Sequence, residues 1–264
     1  MARQRFRPCI TLTTDFGTAD GYVGAMKGTI LRVHPRAVIV DITHDIPPQD
    51  VRAAAFVLAS VYAHFPPGTV HVVVVDPTVG TGRRLVAAAL GSWTFVAPDN
   101  GVLTVVACRE RARRLVHITN RSYAGPTIST TFQGRDILAP AAAHLARGVA
   151  LHRLGPPLAS LHTLAWPAPR PLPGGGRRGA IIYSDRFGNL ITNLAMPAPS
   201  RVRSWQVRYR HRWIPLKSTY AAVPRNAILA VVGSAGLVEL AMREGSARAH
   251  WRARIGERVD MLPG

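Results

Sequence analysis

The chain has 264 residues, 47% hydrophobic, with 33 Lys and Arg against 14 Asp and Glu. That apolar content fills a core and excludes a disordered chain, while the longest apolar stretch, Ala53 to Tyr62, falls far short of the ~20 residues a membrane helix needs. The formal charge of +19 admits a nucleic-acid partner, but only Lys27 and Lys217 are lysines, the arginines are scattered with short clusters at 109–114 and 201–212, and no zinc-finger or basic-zipper pattern occurs, so the excess reads as solvated surface.

The start, Met1 to Pro8, is basic and lacks an apolar h-region, so no signal peptide is read and a soluble cytoplasmic protein is expected. Ile10 to Thr14 is a short β-prone run, broken at Asp15-Phe-Gly17, and Tyr22 to Val33 follows with helical spacing. Ala37 to Ile42 is apolar on nearly every residue, as in a buried parallel strand. Pro47-Pro48 opens a helix over roughly Asp50 to His64, and Val70 to Val75 is a third strand. Leu85 to Leu90 and Trp93 to Ala97 read as two more strands, and Ile137 to Ala146 as another helix. Alternation of this kind predicts a layered α/β domain over residues 1–163.

Residues 164–178 are rich in Pro and Gly, cannot hold a helix or a central strand, and read as a linker. Short strand-like runs follow: Gly179 to Tyr183, Leu190 to Leu194, Val202 to Tyr209, Ala227 to Val232, Leu237 to Ala241 and Ala249 to Ala253. Their length and spacing predict a small all-β barrel or sandwich over residues 179–264. There is no internal repeat.

Acidic residues are scarce, and Asp15, Asp41 and Asp76 sit at the carboxyl ends of predicted strands, the edge where open α/β sheets bind ligands. A carboxylate at Asp15 can take both hydroxyls of a ribose, or it can cap the next helix. Asp76 and Arg83 fall in one turn-rich loop where they can pair, at a ligand or as a plain ion pair. Asp99-Asn-Gly101 reads as a hairpin turn or as a loop near a ligand. Gln133 falls just before a helix, where its amide can reach a ligand, and Arg135-Asp136 is a capping pair or a salt bridge. In the second domain, Phe187 can stack on a purine and Asn189 read its edge, or Asp185 to Asn193 is an ordinary hairpin. Ser234 sits in a glycine turn. The ten histidines show no zinc spacing. There is no Gly-x-Ser-x-Gly elbow and no credible cysteine nucleophile: Cys9 and Cys108 also cannot form a disulfide framework.

Taken in order, Thr11 to Gly17, Tyr22 to Gly28, Asp41 to Asp50, the Asp76 loop, Pro98 to Gly101, Thr131 to Asp136 and Asp185 to Asn193 resemble the S-adenosylmethionine hydroxide adenosyltransferases, adenosine-forming hydrolases related to the fluorinase and chlorinase. The resemblance covers nearly the whole chain. It implies a Rossmann-like N-terminal domain, a C-terminal β-barrel, and a homotrimer whose active sites lie at subunit interfaces. It implies S-adenosylmethionine as substrate, with no cofactor and no metal. Asp15 matches the family's ribose-binding aspartate, with Phe16, Asp20, Tyr22 and Asn100 as further substrate contacts. Asp185, Phe187 and Asn189 match positions around the methionine and adenine ends, and Ser234 a serine near the methionine carboxylate.

The hydrolases resemble one another in an Asp, Arg, His set that handles water. Asp76 and Arg83 match the first two, Gln133 stands at the histidine, and Thr78 replaces the usual glycine of the loop. Gln133 can hydrogen-bond a water but cannot take its proton near neutral pH. The implied activity is therefore slow hydrolysis to adenosine and methionine, catalysed through Asp76, Arg83 and Gln133. The alternatives are a protein that binds S-adenosylmethionine or adenosine without turnover, and a halide-dependent halogenase. Retention of Asp76 and Arg83, with no long insertion between Arg84 and Trp93, looks hydrolase-like.

Overall fold

The computed structural model describes residues 9–197 and 205–264. The basic start at 1–8, the head of the strand expected from Val202, and the first arginines of the 201–212 cluster lie outside the described residues. The chain divides into two compact units, Met1–Ala165 and Trp166–Gly264.

Unit 1 carries a six-stranded sheet in the order β2-β1-β3-β5-β4-β6. Its strands are β1 (Cys9–Thr14), β2 (Val38–Thr43), β3 (Val70–Val74), β4 (Leu85–Leu90), β5 (Trp93–Pro98) and β6 (Ala112–His117). β1 pairs parallel with β2 and β3, and β3 parallel with β5, whereas β4 runs antiparallel to β5 and β6. Side chains alternate across a strand. Ile10, Leu12, Val70, Val72 and Val74 share one core with α1 (Tyr22–Val33) and the alanine-rich α4 (Ala139–Ala146). From the other face His71 stacks on Phe95, with ring centroids 5.1 Å apart, and meets the edge of Tyr62 just beyond α2 (Val51–Val61). Helices on both faces of a mostly parallel sheet make this a Rossmann-like unit.

Several expectations need correction. β2 is an edge strand with one neighbour, so Val38 is 47% exposed; its apolar run does not mark a buried position. The helix expected over roughly Asp50 to His64 is present as α2 and a 3-10 turn over Tyr62–His64, with Pro47 and Pro48 in the turn before it and the Asp50 carboxylate accepting from Ala53 N at 2.9 Å. Asp99-Asn-Gly101 is no hairpin: it leads from β5 into α3 (Thr104–Arg109), a helix the pattern did not announce, as it did not announce β6. Gly101 has φ 93°, and a Cβ there would collide with the Leu164 side chain. The predicted helix at Ile137 begins earlier, as a π-helix over Gly134–Leu138 that runs into α4.

Unit 2 is a nearly closed β-barrel. Its sheet runs β11-β10-β15-β8-β9-β14-β13-β12, with β7 on the edge of β8. The strands are β7 (Arg170–Pro171), β8 (Arg177–Ser184), β9 (Leu190–Ala195), β10 (Trp205–Tyr209), β11 (Arg212–Ile214), β12 (Leu216–Lys217), β13 (Ile228–Val232), β14 (Leu237–Met242) and β15 (Arg258–Pro263). Ile181, Leu190, Leu194, Val207, Tyr209, Leu240 and Met261 fill its core. The Pro- and Gly-rich stretch supplies only the two-residue β7 and a 3-10 turn before β8 begins. Ala249 to Ala253, expected as a strand, is instead covered mostly by helix α5 (Ala247–Trp251). Ser246 caps it by accepting from Ala249 N at 3.1 Å, and Arg252 ends it in the left-handed region at φ 48°. β11 and β12 were also missed, being only three and two residues long, as was β15, where Asp260 breaks the apolar run.

Candidate active site

Parallel strands end their sheet at a polar edge, and here β1 and β3 deliver Asp15 and Asp76 to one cleft of about 400 Å³. Phe16, Tyr22, Gln49, Thr131, Phe132 and Gln133 also line it. Phe16, Tyr22 and Phe132 pack as an aromatic triangle with centroids 5.3–5.7 Å apart, and Tyr22 is 50% exposed. Such a wall offers an apolar flank to a ligand held by carboxylates.

Asp15 does not cap α1, whose N-terminus at Gly21 has no side-chain cap. Its Oδ2 accepts from Gln49 N at 2.7 Å, and Gln49 holds φ 66°, a conformation costly for a non-glycine residue. Among the described residues, Oδ1 has no such donor, so one carboxylate oxygen is left for a ligand.

Asp76 and Arg83 do pair. Arg83 Nε donates to Asp76 Oδ1 and Oδ2 at 2.9 and 2.7 Å, and Nη2 donates to Oδ2 as well. Their side chains are only 6% and 9% exposed. Thr78 adds its backbone N–H and hydroxyl to Oδ1, at 3.2 and 3.0 Å. A carboxylate so loaded is fixed in place and has little lone-pair capacity left.

Gln133 stands at the N-terminus of the π-helix, a rare element often found at functional sites. Gly134 packs tightly on β3: a Cβ there would lie 2.9 Å from Val74 Cγ1. The Gln133 Oε1 is buried with no hydrogen-bond partner. A buried unpaired carbonyl costs about 1–3 kcal/mol, so this oxygen is an acceptor in want of a donor. Three residues on, Asp136 is paired with Arg135 at 2.6 Å and accepts from Ser129 N at 2.8 Å. Burial pushes the Asp136 carboxyl up, but Arg135 and the Ser129 N–H outweigh it and hold the group below the ordinary range. This pair is a brace for the π-helix.

Two expected contacts fall elsewhere. Asp20 is exposed and outside the cleft lining. Asn100 spends its amide on the backbone, donating from Nδ2 to Val75 O at 2.9 Å and accepting from Val102 N at 3.2 Å. It steadies the strand end that carries Asp76. Asp41 pairs with Lys27 and His44, away from the cleft lining.

In unit 2, Asp185, Phe187, Asn189, Ser234, Tyr220 and Glu239 line a separate cleft of about 870 Å³. Asp185 accepts from Asn189 N and Nδ2, both at 2.8 Å, closing a turn around Gly188 at φ 82°. Asn189 is buried, with its NH₂ engaged by Asp185; Phe187 is 76% exposed, an aromatic face with no packing reason to be there. Burial raises the Glu239 carboxyl, Tyr220 O–H lowers it at 3.3 Å, and nearby Asp185 raises it further. Burial and Glu239 together push the Tyr220 hydroxyl up to about 12.

Gln49, Phe132, Tyr220 and Glu239 escaped the reading of the sequence. Glu239 had a signal: a lone carboxylate within the otherwise apolar strand Leu237–Met242. Gln49 had none, since its role rests on its backbone. Among the described residues, no cluster of three or more His, Cys, Asp or Glu side chains is placed to hold a metal ion.

Residues 10–155 match the family model of the SAM hydroxide adenosyltransferase N-terminal domain, and residues 179–260 that of the C-terminal domain. An (R)-S-adenosyl-L-methionine hydrolase of Thermus thermophilus is 40% identical, across 97% of this chain and 100% of its own. A fluorinase of an Actinoplanes species is 30% identical, across 71% and 72%. The crystal structure of an uncharacterized conserved protein from Thermotoga maritima superposes with TM-score 0.89 at 35% identity, covering 96% of this chain and 99% of that one.

Proposed function

The chain belongs to the SAM hydroxide adenosyltransferase family, and from that premise we propose that it hydrolyses S-adenosyl-L-methionine to adenosine and L-methionine. The observation that carries this reading is that Asp76, clamped by Arg83, lines the same cleft as Asp15 and Gln133, whose buried Oε1 is unpartnered.

Water attacks the ribose C5′. The new C5′–O bond forms as the C5′–S bond breaks, sulfur keeps the electron pair, and the proton lost by the water passes to bulk solvent. The leaving group is neutral methionine, so its departure needs no acid, and the reaction needs neither cofactor nor metal. What remains is to hold the ribose and aim a desolvated water. Asp15 takes the ribose hydroxyls against the wall of Phe16, Tyr22 and Phe132. Gln133 Oε1 accepts one hydrogen of the nucleophile. Asp76, loaded by Arg83 and Thr78, serves chiefly to fix Arg83, whose charge favours hydroxide character on the attacking oxygen. Without an imidazole at position 133, a loss on the order of 10²- to 10⁴-fold is expected, so turnover is slow and rises with pH.

The cleft with Phe187, Asp185 and Ser234 supplies the contacts for adenine and methionine. We propose that copies of the chain assemble as a homotrimer, so that a neighbour's unit 2 completes each site, and that the protein works in the cytoplasm. Among the described residues no helix is long and apolar enough to cross a membrane. The scattered arginines favour no nucleic-acid partner.

One observation keeps a second reading in view: Gln133 suits a protein that binds without turnover. A halide-dependent reaction is disfavoured, because β4 and β5 are joined by the two-residue turn Gly91-Ser92 with no insertion. Chromatography of purified protein incubated with S-adenosylmethionine, with and without chloride, beside Asp76→Ala, decides among them. Adenosine from wild type alone supports the hydrolase. Chloride-dependent 5′-chloro-5′-deoxyadenosine, or binding with no product, overturns it.

A further inference from the structure

The segment Asp41 to Asp50 contributes Pro48 and Gln49 to the cleft, yet its other polar residues have no place in the chemistry above. We propose that His44 within it is a positioning residue that sets the loop Asp15–Gly17, and through it the carboxylate offered to the ribose; this rests on the hydrolase reading just given.

The register between β1 and β2 slips at Leu12/Thr13: Leu12 faces Asp41, but Thr13 faces Thr43. A bulge of this kind re-aims the residues beyond it. It brings His44 alongside the end of β1, where His44 Nδ1 lies 2.9 Å from Thr14 Oγ1, with both residues buried. Thr14 Oγ1 in turn accepts from Phe16 N at 3.3 Å. The His44 backbone carbonyl accepts from Gly17 N at 2.8 Å. So one residue grips the loop on both sides of Asp15, by its side chain through Thr14 and by its carbonyl through Gly17.

The ring is anchored from behind. His44 Nε2 lies 3.2 Å from Asp41 Oδ1, off the line of a good hydrogen bond but facing the carboxylate. Asp41 Oδ2 accepts from Lys27 Nζ on α1 at 2.6 Å. With Nε2 protonated toward the carboxylate, Nδ1 is an acceptor. The Thr14 hydroxyl then donates to His44 and keeps a lone pair for Phe16 N–H. The Phe16 amide and the Thr14 hydroxyl thus donate in series toward the His44 ring. The same segment supplies the amide of Gln49 to Asp15 Oδ2, at 2.7 Å. The Asp15 carboxylate is thus held by the segment it faces, and His44 is the side chain that locks that segment to β1.

A cycle between protein variant and ligand tests this on the full chain. Calorimetry measures adenosine and 2′,3′-dideoxyadenosine binding to wild type, His44→Ala and His44→Asn. His44→Ala is expected to weaken adenosine about 10-fold, about 1.4 kcal/mol, and the dideoxy analogue less than twofold, because the contact His44 supports is already missing there. His44→Asn, whose Oδ1 can accept from Thr14, recovers most of the loss. Where His44→Ala fails to fold, Thr14→Val removes the hydroxyl link without a cavity and gives the same pattern. Equal penalties for both ligands, or none for adenosine, overturn the positioning role. Adenosine binding with no turnover of S-adenosylmethionine would instead sink the hydrolase reading, and the cycle would still judge His44. No adenosine binding by wild type overturns this proposal outright.

Discussion

Thr78 closes back on Asp76, donating both its amide and its hydroxyl to Oδ1, at 3.2 and 3.0 Å. Glycine in its place would supply the amide alone. The second oxygen belongs to Arg83, whose Nε also reaches the first. The carboxylate is therefore a fixed counter-charge more than an open base, and that distinction has measurable consequences.

Removing the carboxylate strands a guanidinium that is only 9% exposed. Breaking a buried pair by deleting one partner is costly, in the range of about 3–5 kcal/mol when burial is full and less here, at the edge of a cleft. Asp76→Ala is expected to lower turnover by at least about 10²-fold and to lower the unfolding midpoint. Asp76→Asn, which keeps the donors partly satisfied, recovers stability but not rate. Paired thermal melts and steady-state rates check this; an Asp76→Asn enzyme with wild-type turnover would show that the charge is dispensable.

Thr78→Gly tests the same carboxylate from its other side. Loss of the hydroxyl frees a lone pair on Oδ1 and loosens the loop, at a cost of about 1 kcal/mol for one hydrogen bond. The rate is expected to change by less than about tenfold, with the pH dependence less steep if Asp76 now takes part in proton removal. The pH–rate profiles of the two proteins, measured side by side, are the check.

Gln133→His restores a group that can take a proton. Turnover is expected to rise by about 10-fold or more, a fraction of what a general base supplies. The profile should level off above the imidazole pKa, where wild type continues to climb. A wild-type profile falling toward alkaline pH would count against hydroxide character in the nucleophile.

The sequence made the frame of the site legible because strands and turns announce themselves locally. Tyr22–Val33 carries helical spacing, and Val70–Val74 is apolar at all but His71 and buried throughout. The edge position of β2 was not legible, since an apolar run looks the same whether one neighbour or two will pair with it. α5 was misread because Ala249 to Ala253 suits either state and the deciding event is the Ser246 cap. Asn100 reads as a ligand contact in one dimension and as a backbone brace in three. The π-helix is set by how Gly134 seats on Val74, a tertiary fact with no local pattern.

Phe187 is 76% exposed and so contributes little to the fold. Phe187→Ala should leave the thermal midpoint within about 1 °C while raising the KM for S-adenosylmethionine, since stacking on a base is worth about 1–3 kcal/mol. A KM unchanged beside an unchanged midpoint would remove Phe187 from the ligand contacts.

His71 offers a prediction on stability. It is fully buried, hydrogen-bonded to Thr11 Oγ1 at 2.7 Å and stacked on Phe95. Burial pushes its pKa down to about 4. The unfolded chain binds this proton near the ordinary imidazole pKa of about 6.5, while the folded chain resists it until about pH 4. Stability is therefore complete above about 6.5 and falls as pH drops toward 4, by an amount on the order of 3 kcal/mol at one group. Denaturant unfolding at a series of pH values should show that loss, and His71→Gln, which cannot be protonated, should be flatter across the same window although less stable at neutral pH. Parallel slopes for the two proteins between about pH 6.5 and 4 would assign the acid sensitivity to other groups.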